Sequence, residues 1–226
     1  MSDLLESIEI ETAPHPTAAV IWLHGLGADG NDFAPIVPEL RLARAPAIRF
    51  IFPHAPMMPV TINNGQVMRA WYDVSFGDLE GNTRRADEKG VRASQASVDA
   101  LIEREVARGV EKRMIVLAGF SQGGAIALQT GLRHPQRLAG IMALSTYLPL
   151  AGQLAAEAAA ANKDVPIFYA HGNYDQVIPL AMATASRDKL TAEGYLLEWH
   201  EYPMQHSVCA EEVAAVSAWL QKVFQA

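Results

Sequence analysis

A serine flanked by glycines lies near the middle of the 226-residue chain. The segment Gly119-Phe120-Ser121-Gln122-Gly123 matches the pattern G-x-S-x-G. An apolar run precedes it and a helix-forming run follows, which predicts a strand, a sharp turn and a helix. Such a turn exposes Ser121 as a nucleophile at a helix N-terminus, where free N–H groups stabilise developing negative charge. The alternative is a glycine-rich turn whose serine only caps the helix.

A serine hydroxyl is a weak nucleophile until a base removes its proton. In strand–turn–helix enzymes of this kind, an Asp or Glu and then a His follow the serine in the chain. Asp175 follows the predicted strand Val165–Ala170, and His206 follows the predicted strand Leu196–Tyr202. Ser121, Asp175 and His206 therefore predict a catalytic triad.

The other candidate acids and bases are placed less well. Asp164 precedes its strand and is expected at the opposite edge of the sheet, and Asp188 is expected in solvent on a helix. His200 lies inside a strand, and His134 is better explained as a helix-end residue. Cys209 is expected at the start of the last helix, packed as a small apolar residue.

Acyl transfer also needs two backbone N–H groups that bind the oxyanion. One is expected from Gln122, directly after the nucleophile. The other is expected from Leu26, in the glycine-rich loop that begins at His24-Gly25. His24 and His171 both end a strand, but neither has a partner at a zinc-binding spacing, so no metal site and no cofactor are predicted.

Apolar runs and helical periodicity alternate along the whole chain. Strands are predicted at Ser7–Glu11, Ala18–Leu23, Ile48–Phe52, Met114–Leu117, Leu138–Leu144, Val165–Ala170 and Leu196–Tyr202. Helices are predicted at Asp32–Arg44, Asp87–Arg108, Gly124–Arg133, Gln153–Ala161, Leu180–Glu193 and Glu211–Phe224. This alternation predicts one α/β domain over residues 1–226, with a mainly parallel sheet covered by helices on both faces.

The composition disfavours several classes of protein. The formal net charge of −7 disfavours nucleic acids and anionic membranes as partners, because both require an excess of Lys and Arg. One cysteine permits no intrachain disulfide, which favours a reducing compartment. The chain begins without a signal-like segment and has no run long enough to span a membrane, so a cytoplasmic protein is expected.

Five segments together resemble the carboxylesterase type II, or phospholipase/carboxylesterase, family of α/β-hydrolases. They read LHGLGADGND, MRAWYD, GFSQGG, HGNYDQVIP and MQHSVCAEE, and the resemblance extends from about Ala18 to Phe224. It implies a triad of Ser121, Asp175 and His206, oxyanion donors at Leu26 and Gln122, and no large cap domain. Members hydrolyse carboxylic esters or thioesters of short to medium acyl chains, and some form homodimers.

The segment between Ala55 and Gly81 is unusually apolar for a loop. Its apolar residues are Met57, Met58, Val60, Ile62, Val67, Met68, Trp71 and Phe76. They form either an acyl-binding wall or an ordinary loop that buries its side chains. The expected substrate contacts are Trp71, Met68, Tyr147 and Met204.

These observations predict a serine carboxylesterase. Acyl-protein thioesterase and lysophospholipase activities remain alternatives, because the triad does not identify the leaving group. A non-catalytic binding protein with the same fold is the alternative from another class.

Overall fold

The computed structural model describes residues 4–75 and 87–225, which form a seven-stranded sheet and a separate hairpin. The sheet strands are β1 (Ser7–Glu11), β2 (Ala18–Leu23), β3 (Ile48–Pro53), β6 (Ile115–Phe120), β7 (Gly140–Leu144), β8 (Ile167–Gly172) and β9 (Leu197–Tyr202). Their order is β1-β3-β2-β6-β7-β8-β9, and only β1 runs antiparallel to its neighbour. The predicted strands are confirmed to within three residues at each end.

Five α-helices lie in the described residues. They are α1 (Glu88–Ala107), α2 (Gln122–Arg133), α3 (Leu154–Glu157), α4 (Leu180–Ala192) and α5 (Ala210–Val223). One hydrophobic cluster joins α1, α2 and α4 to one face of the sheet, and a second joins α5 to the other face. Within the described ranges, no helix has both the length and the apolar composition needed to cross a membrane.

The central strands are buried at every residue except Phe120 at the end of β6, as a parallel sheet with helices on both faces requires. Alternate side chains of β2 enter opposite clusters: Ile21 packs on the side of α2, and Trp22 packs on the side of α5. The sequence therefore predicted the fold class correctly.

The predicted helix Asp32–Arg44 is wrong in type and extent. The structure has a 3-10 helix at Ala34–Leu40, which contains both Pro35 and Pro38 and ends at Arg41 in a left-handed conformation. Pro35 lies in the first turn, where a missing N–H group is tolerated, but Pro38 lies inside the helix, where it has no N–H group to donate and disfavours a regular α-helix.

The predicted helix Gln153–Ala161 is also wrong. Only α3 is α-helical there, between two short 3-10 helices. The buried Asn162 side chain donates to the carbonyl groups of His134 and Gln136 and accepts from the N–H of Leu138. These tertiary hydrogen bonds tie the end of the segment to the loop after α2, and they prevail over the helix propensity of its alanines.

The apolar segment after β3 contains a two-stranded hairpin. Its strands are β4 (Met57–Val60) and β5 (Gln66–Arg69), and the register pairs Met57 with Arg69 and Met58 with Met68. Phe76, which was included in the predicted acyl-binding wall, lies outside the described residues.

The carboxyl ends of the parallel strands meet at one edge of the sheet. Ser121 directly follows β6, Asp175 lies three residues after β8, and His206 lies four residues after β9. The loop with Leu26 follows β2, which is the neighbour of β6. The topology therefore brings every predicted catalytic residue to the edge where open α/β sheets bind ligands.

Candidate active site

Ser121 occupies the sharp turn between β6 and α2. Its φ of 55° and ψ of −124° lie in a region that residues with a side chain rarely adopt. Its N–H donates to the carbonyl oxygen of Leu144 at 2.9 Å, which continues the sheet ladder beyond the end of β6. The adjoining strand β7 therefore helps to hold the turn in its strained conformation.

The glycines of the turn are required by the close approach of backbone segments. A Cβ on Gly119 would lie 2.3 Å from the carbonyl oxygen of Gly123. A Cβ on Gly123 would lie 2.3 Å from the carbonyl oxygen of Leu23, at the end of β2. Because no side chain fits at such distances, both positions require glycine.

The Ser121 hydroxyl does not cap the helix that it precedes. Its residue is at the N-cap position of α2, but its side chain makes no capping hydrogen bond. Instead, Oγ lies 2.9 Å from Nε2 of His206, across 85 residues of sequence. The capping alternative is therefore wrong, and the hydroxyl is paired with a base.

His206 connects the serine to a buried carboxylate. Its Nδ1 lies 2.7 Å from Oδ2 of Asp175, so the ring nitrogens contact a hydroxyl on one side and a carboxylate on the other. The ring of Phe120 packs beside the imidazole, with 4.7 Å between the ring centroids. The three residues predicted as a triad are thus brought together in hydrogen-bonding order.

The environment of Asp175 keeps it ionised. Burial alone would raise the pKa of this carboxyl, but the hydrogen bonds from His206 and from the N–H groups of Ile178 and Val177 lower the pKa below its ordinary value. Both N–H groups donate to Oδ1 at 2.8 Å, which leaves Oδ2 facing His206. A fixed carboxylate of this kind can orient an imidazole and stabilise its charged form.

His171, the other histidine near Asp175, is held in an interior position. Its Nε2 lies 2.9 Å from the carbonyl oxygen of Ile178 and 3.5 Å from Oδ2 of Asp175, and its side chain is fully buried. Burial lowers its pKa, so the neutral form is favoured. His171 therefore supports the loop that carries Asp175.

The rejected candidates lie away from the serine. Asp164 precedes β8 and pairs with Arg137, and Asp188 is exposed on α4. His134 ends α2 as its C-cap residue and contacts Asp99. These placements confirm the predicted positions of Asp164, Asp188 and His134.

The two remaining candidates lie on β9 and at the start of the last helix. His200 lies within β9 and stacks on Phe168. Cys209 is the N-cap residue of α5, and burial raises the pKa of its thiol, which disfavours the nucleophilic thiolate. The predicted positions of His200 and Cys209 are confirmed.

The loop after β2 passes close to Ser121. A Cβ on Gly25 would lie 3.4 Å from the Cβ of Ser121, and Gly27 has a φ of +77° that favours glycine. Within the described residues, the backbone N–H groups of Leu26 and Gln122 have no protein acceptor. Both predicted donors therefore have their hydrogen-bonding capacity free.

The side chain of Gln122 has a separate structural role that the sequence did not reveal. It is buried, and its Oε1 accepts from the N–H of Trp71 at 2.8 Å while its Nε2 donates to the carbonyl oxygen of Tyr72 at 2.6 Å. These two hydrogen bonds attach the segment after β5 to the first turn of α2.

The expected substrate contacts differ in their exposure. Trp71 is only 2% exposed, and its indole N–H donates to the carbonyl oxygen of His24 at 2.9 Å, so it packs behind the loop after β2. Met204 is 9% exposed. Met68 and Tyr147 are half-buried, and the sulfur of Met68 would lie 3.6 Å from a Cβ on Gly27. Met68 thus lies beside the loop with Leu26.

Thr146, a fully buried residue just after β7, was not among the residues predicted from the sequence. Its hydroxyl donates to the carbonyl oxygen of Ser121 at 2.6 Å. From the sequence, His24 was considered only as a metal ligand, whereas in the structure its Nδ1 lies 2.7 Å from the carbonyl oxygen of Gly25. The His-Gly pair at the end of β2 could have indicated His24, but no pattern in the sequence indicates Thr146.

Comparison with known proteins identifies the family of this chain. The model of the phospholipase/carboxylesterase family matches residues 5–224. Acyl-protein thioesterase 1 of Neurospora crassa is 42% identical over 210 residues, which cover 90% of this chain and 86% of the relative.

Solved structures give the same result. The crystal structure of Arabidopsis thaliana SOBER1 superposes with a TM-score of 0.84 at 30% identity, covering 91% of this chain and 98% of that one. Acyl-protein thioesterase 2 of Zea mays superposes with a TM-score of 0.82 at 28% identity, covering 97% and 100%. The chain belongs to the phospholipase/carboxylesterase family of α/β-hydrolases and is a serine hydrolase of carboxylic esters or thioesters.

Proposed function

We propose that the enzyme hydrolyses acyl esters and thioesters through a covalent acyl-enzyme on Ser121. The observation that carries this proposal is the hydrogen-bonded series Ser121–His206–Asp175, with distances of 2.9 Å and 2.7 Å. His206 removes the proton from Ser121, whose Oγ attacks the acyl carbonyl carbon. Asp175 holds the imidazole tautomer and stabilises the imidazolium.

The N–H groups of Leu26 and Gln122 bind the oxyanion of the tetrahedral intermediate. His206 then donates its proton to the leaving alcohol or thiol, and the acyl group stays on Ser121. Water, deprotonated by His206, attacks the acyl-enzyme and releases the carboxylic acid and free Ser121. No step requires a cofactor, because each proton that is removed is returned by the same imidazole.

We propose carboxylic esters of short to medium chain length as the general substrate class. Thioesters of acylated proteins are the second candidate, which the names of the Neurospora crassa and Zea mays relatives favour. The half-buried Met68 beside Gly27 and the half-buried Tyr147 supply apolar surface for an acyl chain.

A matched series of esters and thioesters tests these proposals. For each acyl length from C2 to C16, kcat/KM is measured for the ester and the thioester with the same leaving-group skeleton. A steady preference for long-chain thioesters would favour the protein-thioesterase candidate, and a maximum among short esters would favour the carboxylesterase.

The covalent step is tested by Ser121→Ala, with the half-buried Ser97→Ala on α1 as the matched control. Ser121→Ala is expected to lose several orders of magnitude in kcat and all labelling by a fluorophosphonate probe, with an unchanged circular dichroism spectrum. A folded Ser121→Ala enzyme with near-normal turnover, or a wild-type enzyme that the probe does not label, would favour the non-catalytic alternative.

A further inference from the structure

The peptide groups that carry the two expected oxyanion donors share a feature on the side opposite their N–H groups, where the C=O groups lie. In a trans peptide, the C=O group and the following N–H group point in opposite directions. The N–H of Leu26 therefore belongs to the same rigid plane as the C=O of Gly25. Likewise, the N–H of Gln122 belongs to the same plane as the C=O of Ser121.

His24 holds the first of these planes, the peptide group between Gly25 and Leu26. Its Nε2 lies 3.0 Å from the N–H of Ala55, which can only donate, so Nε2 is unprotonated and accepts. Nδ1 must then carry the proton of the neutral ring, and it donates to the carbonyl oxygen of Gly25 at 2.7 Å. The tautomer is assigned from these partners. The ring is 1% exposed and packs on Trp71, so it has little freedom to turn.

Thr146 holds the second plane in the same way. Its hydroxyl donates to the carbonyl oxygen of Ser121 at 2.6 Å, and the N–H of Ala125 donates to the same oxygen at 3.1 Å. Thr146 is itself fixed, because its carbonyl oxygen accepts from the buried hydroxyl of Tyr169 at 2.7 Å. Two neighbouring strands, β7 and β8, therefore support the peptide that follows the nucleophile.

We propose that His24 and Thr146 are positioning residues. They hold the two oxyanion-binding peptide groups by their carbonyl oxygens and so preorganise both N–H groups. The inference rests on the proposed roles of Leu26 and Gln122. Preorganised donors stabilise an oxyanion strongly because they need not reorient as charge develops. Loss of either hydrogen bond to these carbonyl oxygens thus weakens binding of the transition state more than binding of the substrate.

Thr146→Val and Thr146→Ser separate the hydrogen bond from packing. Valine keeps the shape and removes the donor, whereas serine keeps the donor and removes a methyl group that lies against Gly124. Thr146→Val is expected to lower kcat on the order of tenfold or more with little change in KM, and Thr146→Ser to restore most of the kcat. Thr191→Val is the matched control, since its hydroxyl also donates to a carbonyl oxygen but lies on the exposed surface of α4.

Inhibitor binding gives a readout that a general structural role would not produce. A trifluoromethyl ketone analogue of the substrate adds to Ser121 and places an oxyanion in the site, whereas the matching ether has no carbonyl group. Thr146→Val is expected to lower the affinity for the ketone by the same factor as it lowers kcat/KM, and to leave the affinity for the ether unchanged. Equal weakening of both inhibitors would overturn the inference.

His24 provides an independent pair of variants, which keeps the test decisive if Thr146→Val does not fold. His24→Asn retains a donor near the position of Nδ1, and His24→Gln retains an acceptor near the position of Nε2. The asparagine variant is expected to keep the higher kcat, because only its side chain can still hold the Gly25 carbonyl.

The outcomes also separate this inference from the proposed mechanism. If Ser121→Ala is inactive while Thr146→Val and Thr146→Ser have equal kcat values, and His24→Asn shows no advantage over His24→Gln, the positioning roles are wrong and the mechanism stands. If Ser121→Ala retains activity, the mechanism itself is wrong.

Discussion

Asp175 contacts His206 through an oxygen that solvent does not reach. The Oδ2–Nδ1 distance is 2.7 Å, and the side chain of Asp175 is fully buried while that of His206 is 17% exposed. The carboxylate is therefore positioned to orient the imidazole and not to exchange protons with water. A buried acceptor of this kind fixes which ring nitrogen carries the proton.

Replacement of this acceptor is expected to reduce turnover sharply. In Asp175→Asn the amide can donate to Nδ1, which favours the tautomer with the proton on Nε2 and removes the base from Ser121. We expect kcat to fall by about 10³- to 10⁴-fold with the fold retained. The exposed Asp188→Asn is the matched control and should keep normal kcat, and an equally active Asp175→Asn enzyme would contradict the proposed role of the carboxylate.

Gly123 is expected to tolerate no side chain. A Cβ there would lie 2.3 Å from the carbonyl oxygen of Leu23 and 2.5 Å from that of His24, and neither backbone group can move without the sheet. Gly123→Ala should lose about 1–3 kcal/mol of unfolding free energy and most of its kcat/KM. Gly152→Ala is the control, because a Cβ at Gly152 meets no atom within 4 Å. Urea unfolding and ester hydrolysis measure both effects. Equal unfolding free energies and kcat/KM values in the two variants would contradict the crowding at Gly123.

Glu212 is expected to make stability depend on pH. Burial raises the pKa of this carboxyl, in the first turn of α5, to about 8. Since the folded pKa lies above the unfolded value, the folded state binds the proton more tightly, and the free energy of unfolding falls as pH rises towards 8. Below the unfolded pKa both states are protonated, and this penalty, the loss of unfolding free energy caused by the buried carboxylate, disappears.

Glu212→Gln removes this penalty. The unfolding free energy of the variant minus that of wild type is expected to rise by about 3 kcal/mol from pH 5.5 to pH 8. Urea unfolding at the two pH values measures the change, with the exposed Glu211→Gln as the control. A constant difference between wild type and Glu212→Gln across this range would refute the prediction.

Met68 and Met57 lie on opposite faces of the β4–β5 hairpin. Met68 pairs with Met58 and is half-buried, whereas Met57 pairs with Arg69 and is 59% exposed. Met68→Ala should raise KM for esters of medium chain length, with little effect on acetate esters, because it removes apolar surface near the oxyanion loop. Met57→Ala tests the same truncation on the outer face and should leave both substrates unchanged. Similar KM changes in the two variants would place the acyl chain elsewhere.

The sequence by itself determined the fold class and the identities of the three triad candidates. Alternating apolar runs and helical periods specify a parallel α/β sheet, and the turn chemistry around Ser121 is local. Asp175 and His206 could be found because the topology of such a sheet requires loops after particular strands to meet at one edge.

Only the tertiary structure decided which side chains act together at that edge. It revealed that Trp71 packs behind the loop after β2 and that Thr146 supports the peptide after Ser121. It also showed a 3-10 helix at Ala34–Leu40 where the sequence predicted an α-helix. Local patterns record the propensity and polarity of each residue, whereas these contacts depend on the packing of segments that are distant in sequence.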